Sequence, residues 1–102
     1  RWYVRLHLTF MIKSFRSKAL QSFFEAGVAR KLSVQNVRRL GRILNALDAA
    51  TMPDDMNIPG LRFHSLSGDQ KGRYAVDASG NWRVTFGWDG EDAIDIDLED
   101  YH

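Results

Sequence analysis

Two histidines, an arginine and a tyrosine are the residues of this sequence best suited to chemistry. His64 lies in LRFHSL, Arg83 in NWRVTF, and Tyr101 and His102 in the closing EDYH. Cleavage of RNA without a metal needs a base for the 2′-hydroxyl proton, an acid for the leaving 5′-oxygen and a cation for the phosphate. Histidine titrates closest to neutral pH, and arginine can bind a phosphate through two N–H groups. These residue types favour ribonuclease chemistry if the fold brings them to one surface.

Each of these residues, taken alone, also fits a structural role. His64 could be a surface residue of a strand, and Arg83 could pair across strands with an acid. Tyr101 could cap a sheet edge, and His102 could belong to a frayed tail. The ribonuclease hypothesis therefore depends on their convergence.

Other chemistries find no support in the sequence. It contains no phosphate-binding loop, no dinucleotide-binding glycine motif, no HExxH and no GxSxG. The absence of cysteine excludes disulfides, thiolate nucleophiles and Cys-based zinc sites, and it fits a reducing cytoplasm. Because the three histidines are scattered and the acidic run DGEDAIDIDLED alternates like a strand, we expect neither a metal nor a cofactor.

Charge is segregated along the chain, although the net charge is only +1. Arg1 to Leu47 contains ten Lys and Arg but a single acid, whereas Asp48 to His102 contains four Lys and Arg against twelve Asp and Glu. This pattern indicates either a surface that faces a polyanion or an internal pairing of the two halves.

The length of 102 residues fits one domain. Residues 1–10, RWYVRLHLTF, are too short and too polar to span a bilayer, so no membrane association is expected. We expect residues 1–10 to be an upstream extension, with an additional edge strand as the alternative, and residues 11–102 to form the folded domain.

The predicted elements follow from capping residues and periodicity. MIKSF, Met11 to Phe15, alternates like a short strand, and a helix between Ser17 as N-cap and Gly27 as stop comes next. A second helix, which Ser33 could cap, carries an apolar stripe with arginines on its other side. The stripe comprises Val37, Leu40, Ile43, Leu44 and Leu47.

Four strand-like segments complete the chain, LRFHSL, RYAVDA, WRVTFGW and AIDIDLEDYH, with turn signals between them. This order predicts an α+β fold with two N-terminal helices on one face of a mainly antiparallel sheet. Alternation places one set of residues toward the helices: Trp82, Val84, Phe86, Trp88, Ile94, Ile96 and Leu98. The same alternation places His64, Arg83, Thr85, Glu99 and Tyr101 on the opposite, uncovered face.

From Met11 to the end, the chain resembles the HigB branch of the RelE-like bacterial toxins, also known as plasmid-maintenance killer proteins. The matching stretches run in the family's order over about nine-tenths of the sequence: MIKSF, FFEAG, RRLGRILNALDAAT, LRFHSLSGD, GNWRVTF and DYH. The resemblance implies the RelE-like microbial ribonuclease fold and a cytoplasmic, ribosome-dependent enzyme that cuts mRNA in the ribosomal A site. It also implies a helix-turn-helix antitoxin of the HigA type as partner.

The resemblance assigns the catalytic positions to His64, Arg83, Asp100, Tyr101 and His102. It implies that one histidine is the base and the other the acid, that Arg83 stabilises the phosphorane, and that Asp100 orients a neighbour. The family pattern LHPLKGD appears here as FHSLSGD, so Ser67 replaces the expected lysine.

Two cations near Ser67, Lys71 and Arg73, could supply the missing charge. A second basic group is expected to hold ribosomal RNA, with a merely solvated helix surface as the alternative. It consists of Arg30, Lys31, Arg38, Arg39 and Arg42.

Non-enzymatic functions remain alternatives to this hypothesis. The same fold could poison another target, as in the ParE branch, or the chain could be a decayed toxin that only binds protein. A free-standing RNA-binding module would expose aromatic residues for stacking, whereas Trp82 and Trp88 are expected on the core face.

Overall fold

The computed structural model describes residues 11–100. The expectations about residues 1–10, and the positions of Tyr101 and His102, lie outside the described residues. Helix α1 spans Lys18–Ala26 and begins and ends as predicted. The Ser17 hydroxyl accepts the Leu20 N–H at 3.1 Å, and Gly27 adopts the left-handed conformation, φ 72°, that favours glycine at a helix end.

Helix α2 spans Val37–Ala49 and buries Leu40, Ile43, Leu44 and Leu47 of its apolar stripe, whereas Val37 at its first turn is only partly buried. Its N-cap is Asn36, whose side-chain oxygen accepts the Arg39 N–H at 3.1 Å, so the prediction of Ser33 as cap is wrong. Ser33 is exposed while Val34 next to it is buried, because the chain first anchors Val34 in the core and starts the helix only afterwards.

Four antiparallel strands form the sheet in the order β1-β2-β3-β4. Their bounds are His64–Ser65 for β1, Tyr74–Ser79 for β2, Trp82–Asp89 for β3 and Asp92–Asp100 for β4. Two short 3-10 helices, Pro53–Met56 and Gly68–Gln70, lie in the connections before and after β1. The predicted α+β arrangement is thereby confirmed.

The hydrophobic core lies between the two helices and one face of the sheet. Leu20 of α1, Leu44 of α2, and Val84 and Phe86 of β3 are fully buried there. Trp82 and Trp88 are partly buried against the same core, as predicted. We call the other side of the sheet, which carries Thr85, Arg83, Glu99 and His64, the open face. Ala75 and Thr85 on this face are fully buried, and Arg73 contacts Thr85, so the prediction of an uncovered face is wrong at its centre.

Strand β4 contains an irregularity that alternation did not predict. Thr85 pairs with Asp97 while Gly87 pairs with Ile94, so β4 has one residue more than β3 between these pairs, and Asp95 in this bulge has φ 52°. The bulge places Ile94 against Gly87 on the open face, and the prediction of Ile94 in the core is wrong. Ala93 takes its place in the core.

The segment Met11–Phe15 runs beside β4 but does not form the predicted strand. Phe15 makes only an isolated parallel bridge with Ile96. The Ser14 hydroxyl accepts the Asp95 N–H at 2.8 Å and donates to the Asp95 carboxylate at 3.0 Å, so side-chain contacts to the bulge interrupt the backbone hydrogen bonds that residues 13–16 make with Ala93 and Ile96. The buried carboxylate of Asp48 accepts the N–H groups of Met11 and Ile12 at 2.7 and 3.1 Å.

Candidate active site

His64 sits on strand β1 at the edge of the open face. It pairs with Ala75, which pairs with Thr85, and Thr85 lies two residues from Arg83, so the sheet register puts His64 and Arg83 on one face. The Nδ1 atom of the exposed imidazole lies 2.7 Å from the Arg62 carbonyl oxygen. Because a carbonyl can only accept, Nδ1 donates, and in the neutral ring Nε2 keeps its lone pair for a proton.

Arg62 orients His64 and brings a cation that the sequence reasoning left without a role. Its φ of 53° lies in the left-handed region, and this turn keeps β1 shorter than the predicted LRFHSL. Its guanidinium lies 3.3 Å from the Asp77 carboxylate, and the side chain is 73% exposed. The sequence carried no signal for the positive φ, because arginine seldom adopts it.

Arg83 lies in β3 with Asp77 of β2 and Glu99 of β4 as its cross-strand neighbours. Its Nη2 is 3.4 Å from Oε1 of Glu99, and only 16% of the side chain is exposed. The guanidinium is therefore held against the sheet, on the face that alternation predicted.

Glu99 is the centre of a polar network on the open face. Oε2 accepts the Thr85 hydroxyl at 2.6 Å, and Oε1 accepts the Gln70 amide at 3.1 Å in addition to Arg83. Burial by itself would raise the pKa of Glu99. The hydrogen bonds from Thr85 and Gln70 and the charge and hydrogen bond of Arg83 more than offset burial, and the pKa lies below its usual value. The group is thus ionised near neutral pH.

Arg73 is buried rather than exposed in the turn as the sequence suggested. It is 8% exposed, and its Nη2 donates to the Thr85 hydroxyl at 3.0 Å and to the Asp95 carbonyl at 2.9 Å. Burial, and then the charge of Arg16, lower the pKa of Arg73, although arginine stays protonated in proteins. Its position argues against a phosphate-binding role, since its head group supports the sheet from inside the network.

Of the other predicted site residues, Lys71 is exposed in the loop between β1 and β2. Asp100 is exposed at the end of β4, where it pairs with Trp82, so the register places it on the helix side of the sheet and not on the open face. It borders a polar pocket together with Ser33 and Asn81. The structure thus brings His64, Arg83 and the end of β4 to one sheet.

The basic group on and before α2 divides into two kinds of residue. Arg30, Lys31, Arg38 and Arg42 are exposed. Arg39 is half-buried, and its Nη2 donates to the carbonyls of Gly60 and Asp77 at 2.8 and 3.3 Å. Arg39 therefore joins α2 to the loop before β1 and to β2, which differs from the predicted role in holding RNA.

No three His, Asp or Glu side chains within residues 11–100 lie close enough together to hold a metal ion. Over the same residues, neither helix has the length and apolar character needed to cross a bilayer.

Comparison of the sequence with known proteins shows the family of this chain. Residues 13–102 match the family model of the HigB-like toxins, described as RelE-like toxins of the type II toxin-antitoxin system HigB. The chain belongs to this family. It is 39% identical over 92 residues to the endoribonuclease HigB of Proteus vulgaris, covering 90% of this chain and all of that relative. It is 35% identical over 82 residues to toxin HigB-1 of Vibrio cholerae serotype O1, covering 76% of this chain and 84% of that toxin.

Proposed function

We propose that the open face of this HigB-like toxin cuts mRNA in the ribosomal A site by in-line attack of a 2′-hydroxyl on the adjacent phosphate. The chain is a toxin of a type II toxin-antitoxin system and an endoribonuclease. In the reaction a bond forms between the 2′-oxygen and phosphorus while the bond from phosphorus to the 5′-oxygen breaks. The products are a 2′,3′-cyclic phosphate and a 5′-hydroxyl.

His64 and His102 are the proposed proton-transfer residues, one as base and the other as acid, with Tyr101 assisting and Asp100 orienting a neighbour. The observation that carries the proposal is the hydrogen bond of His64 Nδ1 to the Arg62 carbonyl, on the face that also holds Arg83. This hydrogen bond leaves Nε2 available to accept a proton from the RNA as a base or to donate one as an acid. Arg83 carries the charge that develops on the phosphorane.

Product analysis tests this mechanism directly. Purified toxin, programmed ribosomes and an end-labelled message should yield 5′-hydroxyl and 2′,3′-cyclic phosphate ends. A message with a single 2′-deoxy nucleotide at the cleavage site should resist cleavage there, because it lacks the nucleophile. Cleavage of the deoxy message, or products with 5′-phosphates, would contradict in-line attack by the 2′-hydroxyl.

The exposed cations on and before α2 are proposed to hold ribosomal RNA through its phosphates. Replacing Arg38 and Arg42 by alanine should weaken ribosome association and reduce the slope of log K against log salt by roughly 0.7–0.9 for each phosphate that is no longer neutralised. The fold should remain intact because both side chains are exposed. Arg39 is left unchanged since it has structural contacts.

A double replacement of Lys13 and Lys18 is the matched control, since it removes two exposed cations outside the proposed RNA surface. Sedimentation with ribosomes across a salt series measures both variants. Equal losses in the two would indicate general charge rather than a defined RNA-binding surface.

Arg62 is proposed to bind a phosphate of the message in place of the lysine that Ser67 replaces. Its side chain is 73% exposed, although that of its ion-pair partner Asp77 is only 23% exposed, so the guanidinium has access to a phosphate from solvent. Arg62→Ala keeps the carbonyl that holds His64 and should weaken binding of the message several-fold. Ser67→Lys should raise activity and should restore most of the loss in the Arg62→Ala protein.

The test measures cleavage and binding of ribosome-bound message for the two single variants and the double variant. These values give the coupling free energy between positions 62 and 67. Strict additivity would show that the two cations do not substitute for each other.

A helix-turn-helix antitoxin of the HigA type is the proposed protein partner, and an activity on ribosomes implies that the toxin works in the cytoplasm. Co-expression of the chain with the neighbouring helix-turn-helix protein should give a stable complex and relieve growth arrest.

A further inference from the structure

We propose that Glu99 is a positioning residue, which fixes the Arg83 guanidinium in the orientation that receives the scissile phosphate. This inference rests on the proposed function, because it assigns a role in the cleavage step. Glu99 is itself not expected to touch RNA.

The contacts of Glu99 leave its carboxylate little freedom. They come from the loop before β2 through Gln70, and from β3 through Thr85 and Arg83, so two parts of the chain hold one group. Thr85 is fully buried and accepts from Arg73 while it donates to Glu99. A buried guanidinium thus lies behind the hydroxyl that orients the carboxylate.

Fixing Arg83 before RNA arrives has a definite physical benefit. An unrestrained arginine side chain loses rotamer entropy when it is immobilised. With Glu99 as a partner, that ordering takes place in folding rather than in the reaction. Preorganised charges stabilise a transition state because they need not reorient as its charge develops.

The negative charge of Glu99 also determines whether its removal should alter binding of the message or the rate of cleavage. A carboxylate 3.4 Å from the Arg83 guanidinium weakens the attraction of that guanidinium for a phosphate in the ground state. A purely electrostatic role would therefore make removal of the charge favourable for binding. A positioning role predicts a slower cleavage step with nearly unchanged binding.

Asp97 provides a matched control on the same strand and the same face. It lies opposite Thr85, as Glu99 lies opposite Arg83. Its Oδ1 accepts the Leu98 N–H at 2.9 Å, and it makes no hydrogen bond to Arg83 among the contacts described for residues 11–100. Glu99→Gln and Asp97→Asn both remove one negative charge from this face, but only the first alters the partner of Arg83.

The test measures single-turnover cleavage of ribosome-bound message at saturating toxin, together with the half-saturating toxin concentration. Glu99→Gln should reduce the cleavage rate by about 10–100-fold, by analogy with the loss of partners that orient the ligands of a metal. Its half-saturating concentration should change by less than about threefold. Asp97→Asn should cleave within about twofold of wild type, because Arg83 keeps its partner.

NMR of the Arg83 side chain gives a readout that a general structural role would not produce. The Arg83 Nε–H signal should be sharp in wild type and broadened in Glu99→Gln, with the backbone spectrum otherwise unchanged. Should Glu99→Gln fail to fold, Gln70→Leu serves instead, since it removes one hydrogen bond to Glu99 from a partly exposed loop position. It should give a smaller loss of cleavage rate in the same direction.

Wild-type rates in folded Glu99→Gln, or equal losses in Glu99→Gln and Asp97→Asn, would overturn the positioning role alone. If wild-type toxin leaves ribosome-bound message uncut, the proposed function itself fails. The wild-type measurement therefore separates the two failures.

Discussion

Arg83→Ala toxin should cleave ribosome-bound message at least about 10²–10³-fold more slowly than wild type, which corresponds to about 2.7–4 kcal/mol of transition-state stabilisation. The guanidinium is the cation that the sheet fixes on the open face, held 3.4 Å from Glu99 with 16% of its side chain exposed. The other arginine of this network, Arg73, is buried and therefore cannot take over. Rapid-quench measurements of cleavage at saturating toxin would give this rate.

Arg83→Lys is the informative companion to the alanine variant. It keeps the charge but cannot present two parallel N–H groups to a phosphate, so its rate should lie between those of wild type and Arg83→Ala. Thermal unfolding of both variants controls for the removal of the ion pair with Glu99, which retains Thr85 and Gln70. A wild-type rate in Arg83→Ala would exclude this arginine from catalysis.

His64→Ala should slow cleavage by roughly 10²–10⁴-fold, the usual contribution of one general acid or base. The imidazole is exposed and its one described hydrogen bond goes to the Arg62 carbonyl, so the fold should not depend on it. Binding of a 2′-deoxy message to the ribosome and toxin should be nearly unchanged. The pH dependence should lose one limb of its bell shape.

His102→Ala, or deletion of His102, should cause a loss of similar size and remove the opposite limb of the pH profile. Comparison of the two profiles would assign base and acid, because the variant that lacks the base loses the limb at low pH. Full activity after deletion of His102 would identify EDYH as a tail without a catalytic role.

Several features that depend on neighbouring residues in the sequence were predicted correctly, although the N-cap of α2 was assigned to Ser33 instead of Asn36. Ser17 and Gly27 delimit α1 through a side-chain hydrogen bond and a left-handed φ, and both are local properties of these residue types. The turn signals likewise separated β2, β3 and β4 correctly. Alternation placed His64 and Arg83 on one face because β2 and β3 are regular between Tyr74 and Asp77.

The remaining features depend on contacts that are distant in sequence. The β4 bulge is held by Ser14, eighty-one residues away from Asp95, so alternation alone assigned Ile94 to the wrong face. The sequence pattern predicted exposed positions for Arg39 and Arg73, because it does not show that they lie near carbonyl acceptors in distant segments. Glu99 lies opposite Arg83 only because of the β4 bulge, since a hairpin aligned regularly from its turn would place Leu98 there.

The pairing of residues 13–16 with β4 has a consequence for how the toxin is made. The backbone N–H groups of Lys13 and Arg16 donate to the carbonyls of Ala93 and Ile96. This N-terminal segment therefore obtains its hydrogen-bond partners only when β4, the last of the described strands, has been synthesised. Chains fold in the order of synthesis, but contacts of such long sequence separation must wait for both partners. A nascent chain without β4 also lacks the carboxylate that holds Arg83. Under the proposed mechanism, the Arg83–Glu99 pair that receives the phosphate therefore forms only after β4 has been translated.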